Sequence, residues 1–228
     1  VGIIKEEIAA SVTLPSADTI TLKSTRSKDF LHEVELEDIL NRIDDLDIGT
    51  ELHYVSTGKW CLHHLIQALC LKIGKGARIR ITSWMITEEP ARQLVSMVQN
   101  GLISKLTLIL DERIMDRRPQ VIQLLEQHSN IAIFFAKIHA KVSVIIKDDS
   151  CFTVVGSANL TRNPRIEVGA VFVNNEIAAF HCAWMADVMS DYENRIHSGD
   201  ASGNRGICKS CFQSKGNSCT HQCKPSAI

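Results

Sequence analysis

From Glu51 onward the spacing of apolar positions changes repeatedly, and each change marks off an element. Glu51 to Val55 alternates and predicts a strand, and Ser56-Thr-Gly58 a turn. Lys59 to Ile73 predicts a helix with Leu62, Leu65, Ile66, Leu69 and Cys70 on one face. Gly74 and Gly76 end it. Ala77 to Trp84 is expected as a strand, Glu88 to Gln99 as a helix, Ile103 to Leu110 as a strand, Pro119 to Gln127 as a helix and Ile131 to Phe135 as a strand. Alternation of this kind implies parallel strands joined by crossover helices. Two runs rich in Val, Ile, Thr and Phe then flank Lys147-Asp-Asp-Ser150, the mark of a hairpin over 139–159, and 167–173 adds a further strand. Glu176 to His197, capped by Asn175, carries an apolar stripe of Ile177, Phe180, Trp184, Val188, Tyr192 and Ile196. That stripe is assigned to the core, with part of it available for a subunit contact. The expected fold class is α/β, a mixed, mostly parallel central sheet flanked by helices.

Upstream, the repeat at 34, 36, 39, 40 and 43 predicts a helix over Val34 to Ile43. Ile3 to Ala10 suits a short helix, and Thr19 to Leu22 alternates like a strand. The chain divides into an N-terminal segment (1–48, a dimer arm or core extension), a main domain (49–197), a linker (198–206) rich in Gly and Ser, and a cysteine-rich tail (207–228). The 228 residues suffice for a full core, and an apolar fraction of 45% with 22% charge is ordinary for a soluble globular protein. No apolar run is long enough to span a bilayer and no leader pattern is seen, so the expectation is a cytoplasmic protein with no membrane partner. The net charge of -1 hides an asymmetry. Residues 203–228 hold Arg205, Lys209, Lys215 and Lys224 with no acid, so any other phosphate-binding surface must be local.

Chemistry concentrates in the hairpin. Centred on Asp149, it pairs Val144 with Val154 and Ile146 with Phe152 on an apolar face. Side chains alternate, so His139 and Lys141 share the other face with Asn159 and Ser157. An imidazole, an ammonium, an amide and a hydroxyl together suit an anion such as a phosphodiester, and Gly156 allows a backbone to approach closely. A solvated strand face is the alternative reading.

His139-Ala-Lys141 followed by Gly156-Ser-Ala-Asn159 resembles the H-x-K and G-S-x-N signature of the phospholipase D superfamily. The aspartate that family usually carries five residues after the lysine is Ile146 here, with Asp148 and Asp149 just beyond; the tyrosyl-DNA phosphodiesterases lack it too. The resemblance implies a phospholipase D-like domain in which His139 attacks phosphorus, Lys141, Ser157 and Asn159 hold the phosphate, and Glu167 orients the imidazole, as an acidic residue does in related bacterial endonucleases. It implies that catalysis needs no cofactor. The other histidines (32, 53, 63, 64, 128, 181, 197 and 221) lack the following lysine, although His63 and His64 at a helix start stand apart. Family members use two copies of the motif, so a single copy implies a homodimer with one composite site. Arg162 and Arg165 follow the motif and either extend the substrate-binding site along a nucleic acid or lie in a solvated loop. Thr82, Ser83 and Trp84 end a strand where substrate groups are expected, with core packing the alternative for Trp84.

In the tail, Cys208, Cys211, Cys219 and Cys223 are spaced as two close pairs, which suits a structural zinc ion; His221 can replace one of them, and disulfides are the alternative. A basic zinc module suits a phosphate backbone or a protein contact. Cys61, Cys70, Cys151 and Cys182 lie in apolar segments and are expected in the core. The function expected is a metal-independent phosphodiesterase, a nuclease acting on DNA or RNA through a phosphohistidine. The alternatives are a phospholipase D or phosphatidyl transferase, and a nucleic-acid-binding module with a disabled site.

Overall fold

The structure, a computed structural model, describes residues 30–31, 43–56, 58, 60–162 and 164–198. The expected segments Ile3 to Ala10 and Thr19 to Leu22, the helix from Val34 except its last residue Ile43, the linker beyond Ser198 and the cysteine-rich tail lie outside the described residues. In chain order the elements are β1 (Phe30–Leu31), β2 (Glu51–Ser56), α1 (Leu62–Ile73), β3 (Ala77–Ser83), α2 (Glu88–Gln99), β4 (Ile103–Asp111), α3 (Ile114–Arg117), α4 (Pro119–Glu126), β5 (Ile131–Ala136), β6 (Val142–Lys147), β7 (Ser150–Gly156), β8 (Glu167–Phe172) and α5 (Asn175–Ser198). Periodicity locates nearly all of these within a few residues. The short α3 has no periodic signal, and α1 starts at Leu62 instead of Lys59 because Cys61 before it is extended (φ -125°, ψ 165°).

One sheet carries the order β1-β2-β8-β7-β6-β3-β4-β5. The expectation of a mostly parallel sheet is corrected: β1–β2, β3–β4 and β4–β5 are parallel, while β2–β8, β8–β7, β7–β6 and β6–β3 are antiparallel. Strands β2 and β3 do run the same way, as a crossover through α1 requires. The hairpin strands and β8 are inserted between them, and each insertion creates antiparallel neighbours.

The hairpin sits one register step from expectation. Lys147 pairs with Ser150, Ile146 with Cys151, Ile145 with Phe152 and Val144 with Thr153. The turn is therefore the two residues Asp148-Asp149, with Asp148 at φ 50°, a left-handed conformation suited to a two-residue hairpin and tolerated by Asp. A single-residue slip moves side chains to the other face. Val142, Val144 and Cys151 pack with Ile109 beneath Ala178 and Met185 of α5. Ile145, Phe152 and Val154 join the larger cluster with Leu65, Ile66 and Leu69 of α1, Leu94 and Met97 of α2, and Leu125 of α4. Both faces of the hairpin are thus apolar, contrary to the expected one-sided pattern. Burial of each such side chain contributes about 1.5–3 kcal/mol.

The stripe on α5 is only partly core. Trp184 and Val188 pack against the smaller cluster and Tyr192 against the larger one, while Phe180 and Ile196 are exposed. The helix is capped by Asn174 and not Asn175: Asn174 Oδ1 accepts from the N–H groups of Glu176 at 2.8 Å and Ile177 at 3.1 Å.

Candidate functional site

The registers bring one set of strand ends to one edge of the sheet. Thr82, next to last in β3, pairs with Val142 at the start of β6, and Val142 pairs with Val155 near the end of β7. Gly156 pairs with Gly169, and Ser56 at the end of β2 pairs with Glu167 at the start of β8. Ser83 pairs with Leu110 near the end of β4, so loops from six strands converge beyond the carboxyl ends of β2, β3 and β4, the edge at which open α/β sheets place ligands.

His139 and Lys141 lie in the loop just before β6, and Ser157 and Asn159 in the loop just after β7. The sequence paired Lys141 with Ser157 and His139 with Asn159 as strand partners. The shifted register corrects this: Lys141 stands opposite Gly156, whose N–H donates to Lys141 O at 3.2 Å. Lys141 is only 9% exposed, and its Nζ donates to His139 O at 2.6 Å and lies 3.3 Å from His139 Nδ1. Burial lowers the Lys141 pKa, and the Glu167 carboxylate opposes that shift by favouring the charged ammonium. His139 itself is exposed.

Across the cleft the Ser157 hydroxyl donates to Glu167 Oε2 and accepts from Val168 N–H at 3.0 Å, while Ser157 N–H donates to Val168 O at 2.9 Å. Asn159 is fixed from the other side. Its Oδ1 accepts from Trp84 N–H at 3.2 Å and lies 3.3 Å from Ser83 Oγ, which donates to Met85 O at 2.7 Å and accepts from Leu160 N–H at 3.2 Å. The amide NH2 of Asn159 is left without a partner among the described residues and is available to an anion. Trp84 closes the circle, its ring centroid 6.0 Å from that of His139.

Further groups adjoin the site, several of which, Tyr54, Trp60, Asp111 and Arg113 among them, the sequence did not single out. Tyr54, Ser56, Trp60, Cys61, Leu62, Ala158, Asn159, Thr161 and Glu167 line a small pocket. Tyr54 is buried with its hydroxyl unpartnered among the described residues; burial, and next the nearby Glu167 carboxylate, hold its phenol far above the ordinary range. A more open groove beside His139 is lined by Asp111, Glu112, Arg113, Lys137 and Ile138. Arg162 is exposed and 3.8 Å from Glu89, and Arg165 is exposed.

Cys61, His63 and His64 are the one set of possible metal ligands among the described residues, their donor atoms within 4.8 Å of one another. They do not make a centre as they stand. His64 Nδ1 accepts the Cys61 N–H at 3.1 Å, which places the neutral ring's proton on Nε2 and removes both nitrogens from coordination. His63 is buried, held neutral with its pKa down to about 4 by burial and then by His64 and Arg162, and neither ring nitrogen has a partner among the described residues. The remaining cysteines match their expectation: Cys61, Cys70 and Cys151 are buried and Cys182 is half-buried. Among the described residues no helix is long and apolar enough to cross a membrane.

No protein-family model matches the sequence, and no curated protein matches it. Solved structures do. A polyphosphate kinase from Porphyromonas gingivalis superposes with a TM-score of 0.47 at 15% identity over 60% of this chain. A phosphatidylserine synthase from Haemophilus influenzae gives 0.44 at 10% over 63%, and the archaeal chromatin protein TrmBL2, described with a novel mode of DNA binding, gives 0.37 at 7% over 81%. The chain spans 26%, 39% and 55% of these three proteins. Likenesses at such scores carry no functional argument.

Proposed function

We propose that this chain is a phosphodiesterase of the phospholipase D type that cleaves nucleic acid at a site completed by a second copy of itself. The observation that carries the reading is the convergence of the two motif segments. The Lys141 ammonium is held against His139 and the Ser157–Glu167 pair stands across from it, while Asn159 is fixed on the Ser83–Trp84 turn with its amide donors open. In this reading an imidazole nitrogen of His139 attacks phosphorus and the bond to the leaving oxygen breaks. That oxygen takes a proton from the same histidine of the partner, and water then hydrolyses the phosphohistidine. Lys141 and the Asn159 amide hold the non-bridging oxygens, and Glu167 sets the local charge through Ser157 and Lys141.

The second copy follows from the single H-x-K motif. Ile166 and Val168, exposed by 72% and 52% on either side of Glu167, give the edge of the site an apolar rim. That rim also favours a second reading, in which acyl chains of a phospholipid lie against it. Arg113, Arg117 and Lys137 on the His139 side favour nucleic acid.

Labelled single- and double-stranded DNA and RNA, and phosphatidylcholine vesicles, incubated with the full chain in excess EDTA, separate these readings. Nucleic-acid cleavage that falls more than about 1,000-fold in His139→Asn is expected. Phospholipid turnover alone would move the reading to the lipid substrate, and cleavage that persists in the variant would overturn it. A variant ending at Asp200 shows whether the cysteine tail, proposed to hold zinc, contributes to binding.

A further inference from the structure

Arg113 and Arg117 frame the short helix α3, four residues apart, so they project from one face of a single turn. Each guanidinium carbon lies 5.5 Å from the centroid of the Trp84 ring, within cation–π range. Trp84 stands 6.0 Å from His139, and Lys137, two residues before His139, lines the same groove as Arg113. Three strands thus deliver three cations and an indole to one side of the candidate nucleophile.

The cations are not equivalent. Arg113 is bound through Nε to Asp111 Oδ1 at 2.6 Å and through a terminal nitrogen to Asp111 Oδ2 at 3.1 Å, so its charge is matched by a buried carboxylate. Glu112 adds a second acid to the groove. Arg117 and Lys137 have no acidic partner among the described residues. A guanidinium held against an indole loses little freedom on binding, and its planar fork matches a phosphate.

We infer that Arg117, supported by Trp84 and Lys137, forms a subsite for the phosphate that flanks the scissile one. The inference rests on the phosphodiesterase reading and narrows its substrate to a polyanionic strand with at least two phosphates. Arg117 is a binding residue here, and Trp84 a positioning residue that acts through the guanidinium. A substrate with one phosphodiester has nothing to place in the subsite.

Two substrates and a binding measurement test this on the full chain. Arg117→Ala is expected to raise KM for a labelled oligonucleotide by about tenfold with kcat unchanged, and to reduce the slope of log affinity against log salt by about one. Hydrolysis of bis(p-nitrophenyl) phosphate, which has a single phosphodiester, is expected to stay at the wild-type rate. Arg117→Lys restores part of the loss, and Trp84→Phe, which keeps a ring under the guanidinium, gives a smaller KM effect than Arg117→Ala. An equal loss on both substrates, or no loss on the oligonucleotide, overturns the subsite. If the wild type cleaves neither substrate, the phosphodiesterase reading fails first. Fluorescence anisotropy with a labelled 12-mer then still decides the subsite: unchanged affinity and salt slope in Arg117→Ala overturn it.

Discussion

At the scale of single residues, the glycine of the G-S-x-N segment shows how a correct reading can rest on an incomplete reason. The sequence suggests that Gly156 lets a backbone approach beside a phosphate site. The close neighbours in the fold are Val168 O, which a β-carbon on Gly156 would meet at 2.8 Å, and Tyr54 Oη at 3.1 Å. Its partner Gly169 is tighter still: a β-carbon there would overlap the Tyr54 hydroxyl and ring and lie 2.8 Å from Val155 O. The paired glycines form the notch in which Tyr54 lies beneath the site. Gly169→Ala is therefore expected to cost about 1–3 kcal/mol in urea denaturation through overpacking. Tyr54→Phe, which removes an unpartnered buried hydroxyl, is expected to leave stability unchanged or raise it by up to about 1 kcal/mol. A Gly169→Ala protein as stable as wild type would mean the notch is not needed. The H-x-K and G-S-x-N residues were legible because each cluster is contiguous. Trp84 was legible as the end of a strand, but its meeting with Arg113 and Arg117 was not, since that depends on β3 and β4 lying side by side.

Elements were legible where periodicity runs long. Helix α2 falls on the expected Glu88 to Gln99, and β2, β3, β4, β5 and β8 fall within one residue of expectation, whereas the hairpin expected over 139–159 is three residues shorter at each outer end and β1 was not expected. Boundaries set by a single hydrogen bond were not. Two adjacent asparagines stand at the start of α5, and the sequence does not distinguish them: Asn174 caps the helix, whereas Asn175 Oδ1 accepts from Cys151 Sγ at 3.0 Å. Asn174→Ala is expected to destabilise the protein by about 1 kcal/mol, and Asn175→Ala by less than half of that, in parallel thermal or urea unfolding. The reverse order would make Asn175 the cap. The hairpin register failed for a related reason, because Asp148 and Asp149 support either a two-residue or a longer turn by composition. One step of register decides whether the strands bury one face or both. Here α5 on one side and α1 and α2 on the other supply the cover that makes both faces apolar.

For the whole molecule, local alternation gives strand directions without giving strand order, and so the parallel character was overestimated. The order matters for function: inserting β6, β7 and β8 between β2 and β3 is what carries His139, Ser157 and Glu167 to the edge where β2, β3 and β4 end. A single such edge supplies one histidine of the motif. If two copies share a site, inactivation by one defective chain must be dominant, and the proportion is fixed by statistics. Wild-type chain mixed with an equal amount of His139→Asn, exchanged by dilution and reconcentration, distributes at random among dimers, so about a quarter remain wild type in both halves. Cleavage per wild-type chain is therefore expected to fall to about half of its unmixed value, and with the variant in excess to fall further in direct proportion to the wild-type fraction. Activity per wild-type chain that stays constant at every mixing ratio would show that one histidine suffices. The second proton donor would then have to come from within the chain, and the composite site would be wrong even if the phosphodiesterase were right.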